Sequence, residues 1–215
     1  MERRQFSALA AGATLGLGLT RIAAAQDGTP VTARDYTKIA TPLPVATPAG
    51  SVDVVEFFSY ACPHCFEFES TLEAWLQHKA PEIRFRRSPV PFMFNHGNFQ
   101  RIYFALESLG QADAMQKKVF DAVHVEHLRL DKPEDIAAFM ARNGIDATRF
   151  MAAFNAFGTG VKAAQAGTLY ENSGADGVPT LMVQGRFLTS PVIARGEKKA
   201  LATVDWLAAQ FRAGS

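Results

Sequence analysis

The chain has two cysteines, Cys62 and Cys65, in the sequence CPHC, with Pro63 and His64 between them. Two thiols at this spacing are compatible with three kinds of chemistry. They can bind a metal ion, form a structural disulfide, or exchange a disulfide reversibly with another molecule. The rest of the sequence bears on which of the three applies.

The metal-binding and structural alternatives fit the sequence poorly. A structural metal site needs about four ligands, and the cysteines supply only part of that set. His64 diverges from both thiols along a helix. His124 and His127 could share a helix face, but solvated or partly packed side chains explain them more simply. A Cys62–Cys65 disulfide closes a very short loop, so it removes little entropy from the unfolded chain. We therefore expect no metal and no cofactor.

The reactive alternative fits the local sequence. Pro63 suits the first position of a helix, where the missing N–H has no bond to lose. Cys62 then lies at the helix N-terminus, where free N–H groups and the helix dipole stabilise a thiolate, and protonated His64 adds positive charge. We expect Cys62 to be exposed as the exchanging thiol and Cys65 to be buried as the resolving thiol.

Two strands and a helix are predicted to position the cysteines. The run VDVVEFF, residues 52–58, is rich in β-formers without alternation, which is typical of a central strand covered on both faces. The helix after it carries an apolar stripe at three- and four-residue spacing. The stripe comprises Cys65, Phe68, Leu72, Trp75 and Leu76. The segment EIRFRRS, residues 82–88, is predicted as the next strand.

The remaining chain is predicted as a helical block followed by two strands and a helix. Helical patterns run from about Phe92 to Gly174, with Asp146 as an N-cap. The segment VPTLMVQGRFLTS has two strand signals joined by a turn at Gln184–Gly185, and EKKALATVDWLAAQF is an amphipathic helix. The pattern predicts an α/β fold in which a helical insertion interrupts a small α/β domain.

Residues 1–25 have the composition of a secretory signal peptide. Arg3 and Arg4 form a basic start, a short run of small and apolar residues follows, and Ala23–Ala25 offer a cleavage site. The sequence RRQF is typical of the twin-arginine route, while Sec export stays open. We expect the protein in the periplasm, an oxidising compartment in which disulfides persist.

Composition argues against some partners. The chain has 215 residues, of which 48% are hydrophobic, and its formal net charge is +1. This hydrophobic content supports a folded core. The nearly balanced charge gives no indication of binding to nucleic acid or to an anionic membrane surface. We expect a monomeric globular protein.

Two segments together resemble the DsbA family of periplasmic thiol oxidases: FFSYACPHCFEFE, which follows VVE, and GADGVPTLMVQGRF downstream. The resemblance covers roughly residues 34–212. It implies a thioredoxin fold with an inserted all-helical subdomain. The implied division places the thioredoxin-like domain at residues 26–91 and 175–215 and the insertion at residues 92–174.

The resemblance also assigns a role to the GVPT sequence. From the sequence alone, Pro179 is an ordinary turn proline at the start of a strand. In the family, the proline at this place is cis and faces the disulfide, and its backbone neighbours pair with an extended substrate chain. Val178 and Pro179 are therefore expected to contact substrate.

Three acidic residues near the cysteines differ in their expected surroundings. Glu56 interrupts an apolar strand, and a buried carboxylate needs a partner. One interpretation pairs it with an arginine of the neighbouring strand, at position 84, 86 or 87. The other, implied by the resemblance, is an acid that manages the proton of Cys65. The two are compatible. Glu67 and Glu69 are expected to be solvated.

The segment PVPFMFNHG, residues 89–97, is unusually apolar for a connection. It is either core at the junction of the two subdomains or part of a hydrophobic surface for unfolded chains, to which methionine and aromatic side chains are suited. The sequence favours neither alternative.

The resemblance implies a protein dithiol oxidase. Such a protein donates its Cys62–Cys65 disulfide to exported proteins with reduced cysteines through a mixed disulfide at Cys62. It is reoxidised by a quinone-linked membrane protein of the DsbB type. Two alternatives stay open: a disulfide isomerase or reductase on the same fold, and a periplasmic chaperone-like binding module with incidental cysteines.

Overall fold

The computed structural model describes residues 31–213, so the predicted signal peptide lies outside the described residues. The strands are β1 Thr37–Lys38, β2 Val52–Phe58, β3 Ile83–Pro89, β4 Thr180–Val183 and β5 Phe187–Thr189. They form one sheet in the order β1-β5-β4-β2-β3. β2 pairs in parallel with β3 and antiparallel with β4, and β5 pairs antiparallel with both β4 and β1.

The helices are α1 Pro63–Leu76, α2 His96–Ser108, α3 Ala112–His124, α4 Pro133–Arg142, α5 Ala147–Asn155, α6 Phe157–Ser173 and α7 Glu197–Ala213. Helices α2 to α6 lie between β3 and β4 in the chain. The predicted order of elements is thereby confirmed, and the fold is α/β with a helical block inserted into a thioredoxin-like sheet. Within residues 31–213, no helix is both long enough and apolar enough to cross a membrane.

β2 is an interior strand of the sheet, between β4 and β3, and all of its residues are buried. Val52 and Val54 pack with Leu72 of α1 and with the apolar face of α7. Val55 and Phe57 point to the opposite face, where α6 covers them. The side chains of a strand alternate between the two faces, so a run without polar alternation is explained by cover on both sides.

Several local signals have the predicted outcome. Pro63 occupies the first turn of α1. Asp146 caps α5, since its side chain accepts a hydrogen bond of 2.9 Å from the backbone N–H of Arg149. Gln184 and Gly185 form the turn between β4 and β5, both with positive φ. A Cβ atom at Gly185 would overlap the backbone carbonyl oxygen of Leu43, so this turn requires glycine.

One possibility raised by the sequence, a helix face shared by His124 and His127, is not found. α3 ends at His124, and His127 has a φ of 56° in the loop that follows. The two histidines therefore do not share a helix face.

Candidate active site

Cys62 is held at the start of α1 by a short turn after β2. Its backbone N–H donates to the carbonyl of Ser59 over 3.0 Å, and its carbonyl accepts from the N–H of Phe66 over 3.1 Å. Cys62 is the N-cap residue, in an extended conformation with φ −89° and ψ 116°. Its sulfur therefore lies beside the free backbone N–H groups of the first helical turn.

The prediction that Cys62 is exposed is wrong, because only 4% of its surface is accessible. The segment before β4 lies against the thiol, and the Cys62 Sγ is 3.5 Å from the carbonyl oxygen of Val178. Cys65 is completely buried, as predicted. Both cysteines are free thiols in this structure.

The two thiols have opposite electrostatic environments. The pKa of Cys62 is lowered to about 6, mainly by the hydrogen bond with the Cys65 thiol. Burial opposes this shift, and the backbone N–H groups of Cys65 and His64 and the charge of His64 contribute to it. Burial raises the pKa of Cys65, and the hydrogen bond with Cys62 and the charge of Glu56 raise it further. The negative charge therefore belongs on Cys62 and the proton on Cys65.

His64 projects into solvent on the exposed side of α1. Its Nδ1 lies 3.0 Å from Oε2 of Glu67, which is exposed as predicted. This hydrogen bond raises the pKa of His64, and the charge of Glu67 adds to the effect. The imidazole is thus kept cationic to higher pH, close to the thiolate that it stabilises.

The GVPT segment lies next to Cys62. The peptide bond between Val178 and Pro179 is cis, as the family resemblance implied. The hydroxyl of Thr180 donates to the carbonyl of Gly177 over 2.7 Å, which closes the turn around the proline. The structure therefore brings together Val178, Pro179 and Cys62, which are far apart in the sequence.

Of the three arginines considered as partners of Glu56, the structure pairs it with Arg87. The two residues are directly paired in the register of β2 and β3. The Nε of Arg87 donates to Oε2 of Glu56 over 3.1 Å, and its Nη2 donates to Glu69 over 2.8 Å and to Glu73 over 2.7 Å. The expectation of a solvated Glu69 is wrong, because its position on α1 turns it toward β3 and the buried guanidinium.

One buried cation thus faces more than one carboxylate. Burial raises the pKa of Glu56 to about 7, an effect that Arg87 opposes, and burial also raises the pKa of Glu69 to about 8. One oxygen of each carboxylate is buried without a hydrogen-bond partner. Ionising both carboxylates beside a single cation is unfavourable, so the cluster retains a proton near neutral pH.

The sequence did not reveal Glu69, Glu73 and Arg87 as one cluster. The available signal was the spacing of Glu69 and Glu73, which are four residues apart and therefore on one helix face. That face could be recognised as inward only with the position of β3, which supplies Arg87.

The apolar segment at residues 89–97 is divided between core and surface. Val90 is buried, and the ring of Phe92 packs on Tyr170 with centroids 5.2 Å apart. Met93 and Phe94 are exposed, and the guanidinium of Arg129 lies over the Phe94 ring at 4.7 Å. Part of the segment is therefore core, and for its exposed part a surface that binds unfolded chains stays a prediction.

Among the side chains of residues 31–213, no group of three or more histidines, cysteines, aspartates or glutamates is arranged to hold a metal ion.

Known proteins are similar to this chain in sequence. The profile of the DSBA-like thioredoxin domain matches residues 53–194. The thiol:disulfide interchange protein DsbA of Burkholderia cepacia is 36% identical over 199 residues, which cover 92% of this chain and 94% of that protein. The protein of the same name from Bordetella pertussis is 34% identical over 213 residues, which cover 99% of this chain and 100% of that protein.

A solved structure extends the similarity to the fold. The crystal structure of the E82I variant of Pseudomonas aeruginosa DsbA superposes with a TM-score of 0.81 at 31% sequence identity, covering 86% of this chain and 100% of that one. The match to the family profile and the near-full coverage of both relatives agree with the cysteine site described above. The chain belongs to the DSBA-like thioredoxin domain family.

Proposed function

We propose that this protein is a thiol:disulfide oxidoreductase that donates a Cys62–Cys65 disulfide to folding exported proteins. One observation supports this proposal above the others: the two thiols, one helical turn apart, have pKa values shifted in opposite directions. A thiol with a pKa of about 6 is roughly ten parts thiolate to one part thiol at pH 7. A stable thiolate at Cys62 favours the dithiol form, and so favours giving the disulfide away.

The reaction begins with the disulfide form of the protein. A substrate thiolate attacks the sulfur of Cys62, which forms a mixed disulfide and releases Cys65 as a thiolate that takes up a proton. A second substrate thiolate then attacks the substrate sulfur of the mixed disulfide, and Cys62 leaves as a thiolate. Two electrons pass from the substrate dithiol to the protein. The substrate gains one disulfide, and the protein gains a dithiol.

The neighbouring residues have distinct proposed roles. Pro63 begins the helix whose free N–H groups stabilise the leaving Cys62 thiolate, and His64 adds positive charge beside it. Glu56, whose charge affects the pKa of Cys65, manages the proton of the buried thiol. Val178, at the cis-proline turn against the Cys62 sulfur, offers backbone groups to an extended substrate chain.

The proposal includes partners, location and organisation. Its substrates are unfolded or partly folded exported proteins with reduced cysteines, and a quinone-linked membrane protein of the DsbB type reoxidises it. The protein acts in the periplasm as a monomer, without a cofactor besides its own disulfide. The thioredoxin-like domain comprises residues 26–91 and 175–215, and residues 92–174 form the helical insertion.

The proposal is tested by mixing the disulfide form of the protein with a reduced, unfolded protein that has two cysteines. We expect stoichiometric transfer of one disulfide without added cofactor. The Cys62→Ser variant should transfer none. The Cys65→Ser variant, incubated with a substrate bearing an activated mixed disulfide, should accumulate a covalent complex at Cys62 because the resolving thiol is missing.

Two results would contradict this function. Full biological activity of the Cys62→Ser protein would indicate a binding module with incidental cysteines. Faster rearrangement of a scrambled substrate than oxidation of a reduced one would indicate an isomerase.

A further inference from the structure

One face of α3 holds the segment that leads to Cys62. Gln116, Phe120 and His124 recur every four residues and therefore share a helix face. The Tyr60 hydroxyl donates to Oε1 of Gln116 over 2.7 Å, and the Phe120 ring packs edge-to-face on the Tyr60 ring with centroids 5.0 Å apart. The helical insertion thus fixes a fully buried tyrosine close in sequence to Cys62.

His124, the last residue of α3, contacts the chain on both sides of Cys62. Its Nε2–H donates to the backbone carbonyl of Tyr60 over 2.9 Å. Its ring stacks on Phe66 with centroids 5.0 Å apart and an interplanar angle of 14°. Phe66 follows the CPHC sequence and donates its N–H to the carbonyl of Cys62. A single half-buried imidazole therefore links α3 to both ends of the reactive segment.

The hydrogen bond to Tyr60 constrains a peptide plane inside the active-site turn. In that turn, the N–H of Cys62 bonds to the carbonyl of Ser59, and the N–H of Ala61 bonds to the Ser59 hydroxyl over 3.2 Å. The Tyr60 carbonyl instead points to His124. Because the peptide group is planar, the orientation of this carbonyl also sets the direction of the Ala61 N–H, and with it the entry of the chain into α1.

We propose that His124 is a positioning residue for disulfide exchange, which holds Cys62 at the N-terminus of α1 through its hydrogen bond to the Tyr60 carbonyl. This inference rests on the proposed function, and it assigns part of the active site to the helical insertion. His124 does not touch the reacting sulfur. It acts through the turn, because the thiolate is stabilised by backbone N–H groups of α1 only while Cys62 stays at the N-cap position.

A neutral imidazole is sufficient for this role. Burial lowers the pKa of His124, and the Nε2–H donor is present in the neutral tautomer as well as in the cation. The charged and titratable groups that influence the ring are Glu67 on α1 and His127 in the loop after α3. Substitutions of His124 can therefore distinguish the effect of its hydrogen-bond donor from the effect of its charge.

Three variants of the full chain separate the hydrogen bond from the ring. His124→Phe keeps a ring to stack on Phe66 and removes the donor. His124→Gln keeps an N–H donor and removes the ring. His127→Asn removes a nearby imidazole that does not contact Tyr60, and asparagine tolerates the positive φ at this position. Should His124→Phe fail to fold, His124→Leu also removes the donor.

The readouts are the ultraviolet absorbance titration of the Cys62 thiolate and the redox equilibrium with glutathione. We expect His124→Phe to raise the Cys62 pKa by roughly 0.5 to 1 unit, which makes the equilibrium constant for disulfide donation at pH 7 about three- to sixfold smaller. His124→Gln should keep most of the wild-type value, and His127→Asn should match the wild type.

Two results would overturn the inference. A His124→Phe protein with the wild-type Cys62 pKa would show that the bond to Tyr60 does not position the cysteine. Equal shifts in the Phe and Gln variants would assign the effect to the imidazole itself instead of its hydrogen bond. Failure of the proposed function is distinguishable, since the wild-type protein would then transfer no disulfide to a reduced substrate even if the pKa shift were observed.

Discussion

The surroundings of Cys62 and Cys65 differ more than their separation in the sequence suggests. Cys62 lies at the N-terminus of α1, among backbone N–H groups and near His64, and its pKa is lowered. Cys65 lies completely inside the protein on the side of Glu56 and has a raised pKa. Both sulfurs are buried, so burial alone does not decide which thiol ionises. The difference in pKa comes from the groups that face each sulfur. It gives two chemically identical side chains the separate roles that a disulfide donor requires.

The largest effect is expected on the Cys65 side, from removal of the buried cation. Arg87→Met leaves the buried carboxylates of Glu56 and Glu69 without their shared partner, and breaking a buried ion pair on one side costs about 3–5 kcal/mol of unfolding free energy. Denaturant unfolding at pH 8 measures this loss. Arg84→Met on the exposed face of β3 is the matched control, with an expected change below about 0.5 kcal/mol.

The same substitution has a predicted pH dependence that sharpens the test. The carboxylates become neutral at low pH, so the loss caused by Arg87→Met should be smaller at pH 5 than at pH 8. An equal loss at both pH values would mean that the guanidinium contributes through packing alone.

The titration of Glu56 should be visible in the stability of the protein. Its pKa is raised from 4.5 to about 7 by folding, so the folded state binds more protons than the unfolded state between these values. The stabilisation is therefore fully present below the unfolded pKa and is lost as the pH rises through about 7. We expect the unfolding free energy of the wild type, relative to Glu56→Gln, to fall by about 1–3 kcal/mol between pH 5 and pH 8.

This comparison is made on the disulfide form of both proteins, in which neither thiol titrates. If the unfolding free energy of the wild type relative to Glu56→Gln stays constant with pH, the raised pKa of Glu56 is contradicted. If the wild type instead becomes more stable relative to Glu56→Gln as the pH rises, the pKa of Glu56 is lowered, as in an ordinary carboxylate ion pair.

A third substitution tests whether the hydrogen bond between the two thiols lowers the Cys62 pKa. The hydrogen bond with Cys65 is the main cause of the lowered Cys62 pKa, so Cys65→Ala should raise that pKa by roughly one unit or more. Cys65→Ser retains a hydroxyl donor and should preserve most of the shift. The thiolate absorbance of both variants provides the measurement, and identical pKa values for the two would remove Cys65 as the cause.

The smallest effect is expected from the exposed end of the site. The charge of His64 is the weakest of the causes that lower the Cys62 pKa, and its side chain is exposed to solvent. We expect His64→Gln to raise the Cys62 pKa by less than the Cys65→Ala variant does. His96→Gln is the control. A His64→Gln shift that exceeds the Cys65→Ala shift would reverse the order of causes.

Local sequence patterns were sufficient for the elements that carry the site. The unalternating run at Val52–Phe58 and the proline at position 63 determine a buried strand and a helix start, and both are found at the predicted residues. These features depend on neighbours within a few positions. The inward direction of Cys65 follows from the same short-range helical periodicity.

Contacts between distant segments account for what the sequence did not reveal. Cys62 is covered because the turn before Pro179 lies against it, and Glu69 of α1 is buried because it pairs with Arg87 of β3. The contact at the C-terminal end of α3 has the same origin, since His124 reaches Tyr60 only when the helical insertion packs against the sheet. Such placements depend on tertiary packing, which periodicity on a single element does not encode.

The role of Cys62 as a stabilised leaving group is tested most directly by two measurements on the wild-type chain: the ultraviolet titration of the Cys62 thiolate and the redox equilibrium with glutathione. We expect a pKa of about 6 or lower and a potential nearer to about −120 mV, the value for a family oxidant, than to about −270 mV, the value for the reductant thioredoxin. A potential near −270 mV with an ordinary thiol pKa of about 8.5 would contradict it, because Cys62 would then not be a stabilised leaving group.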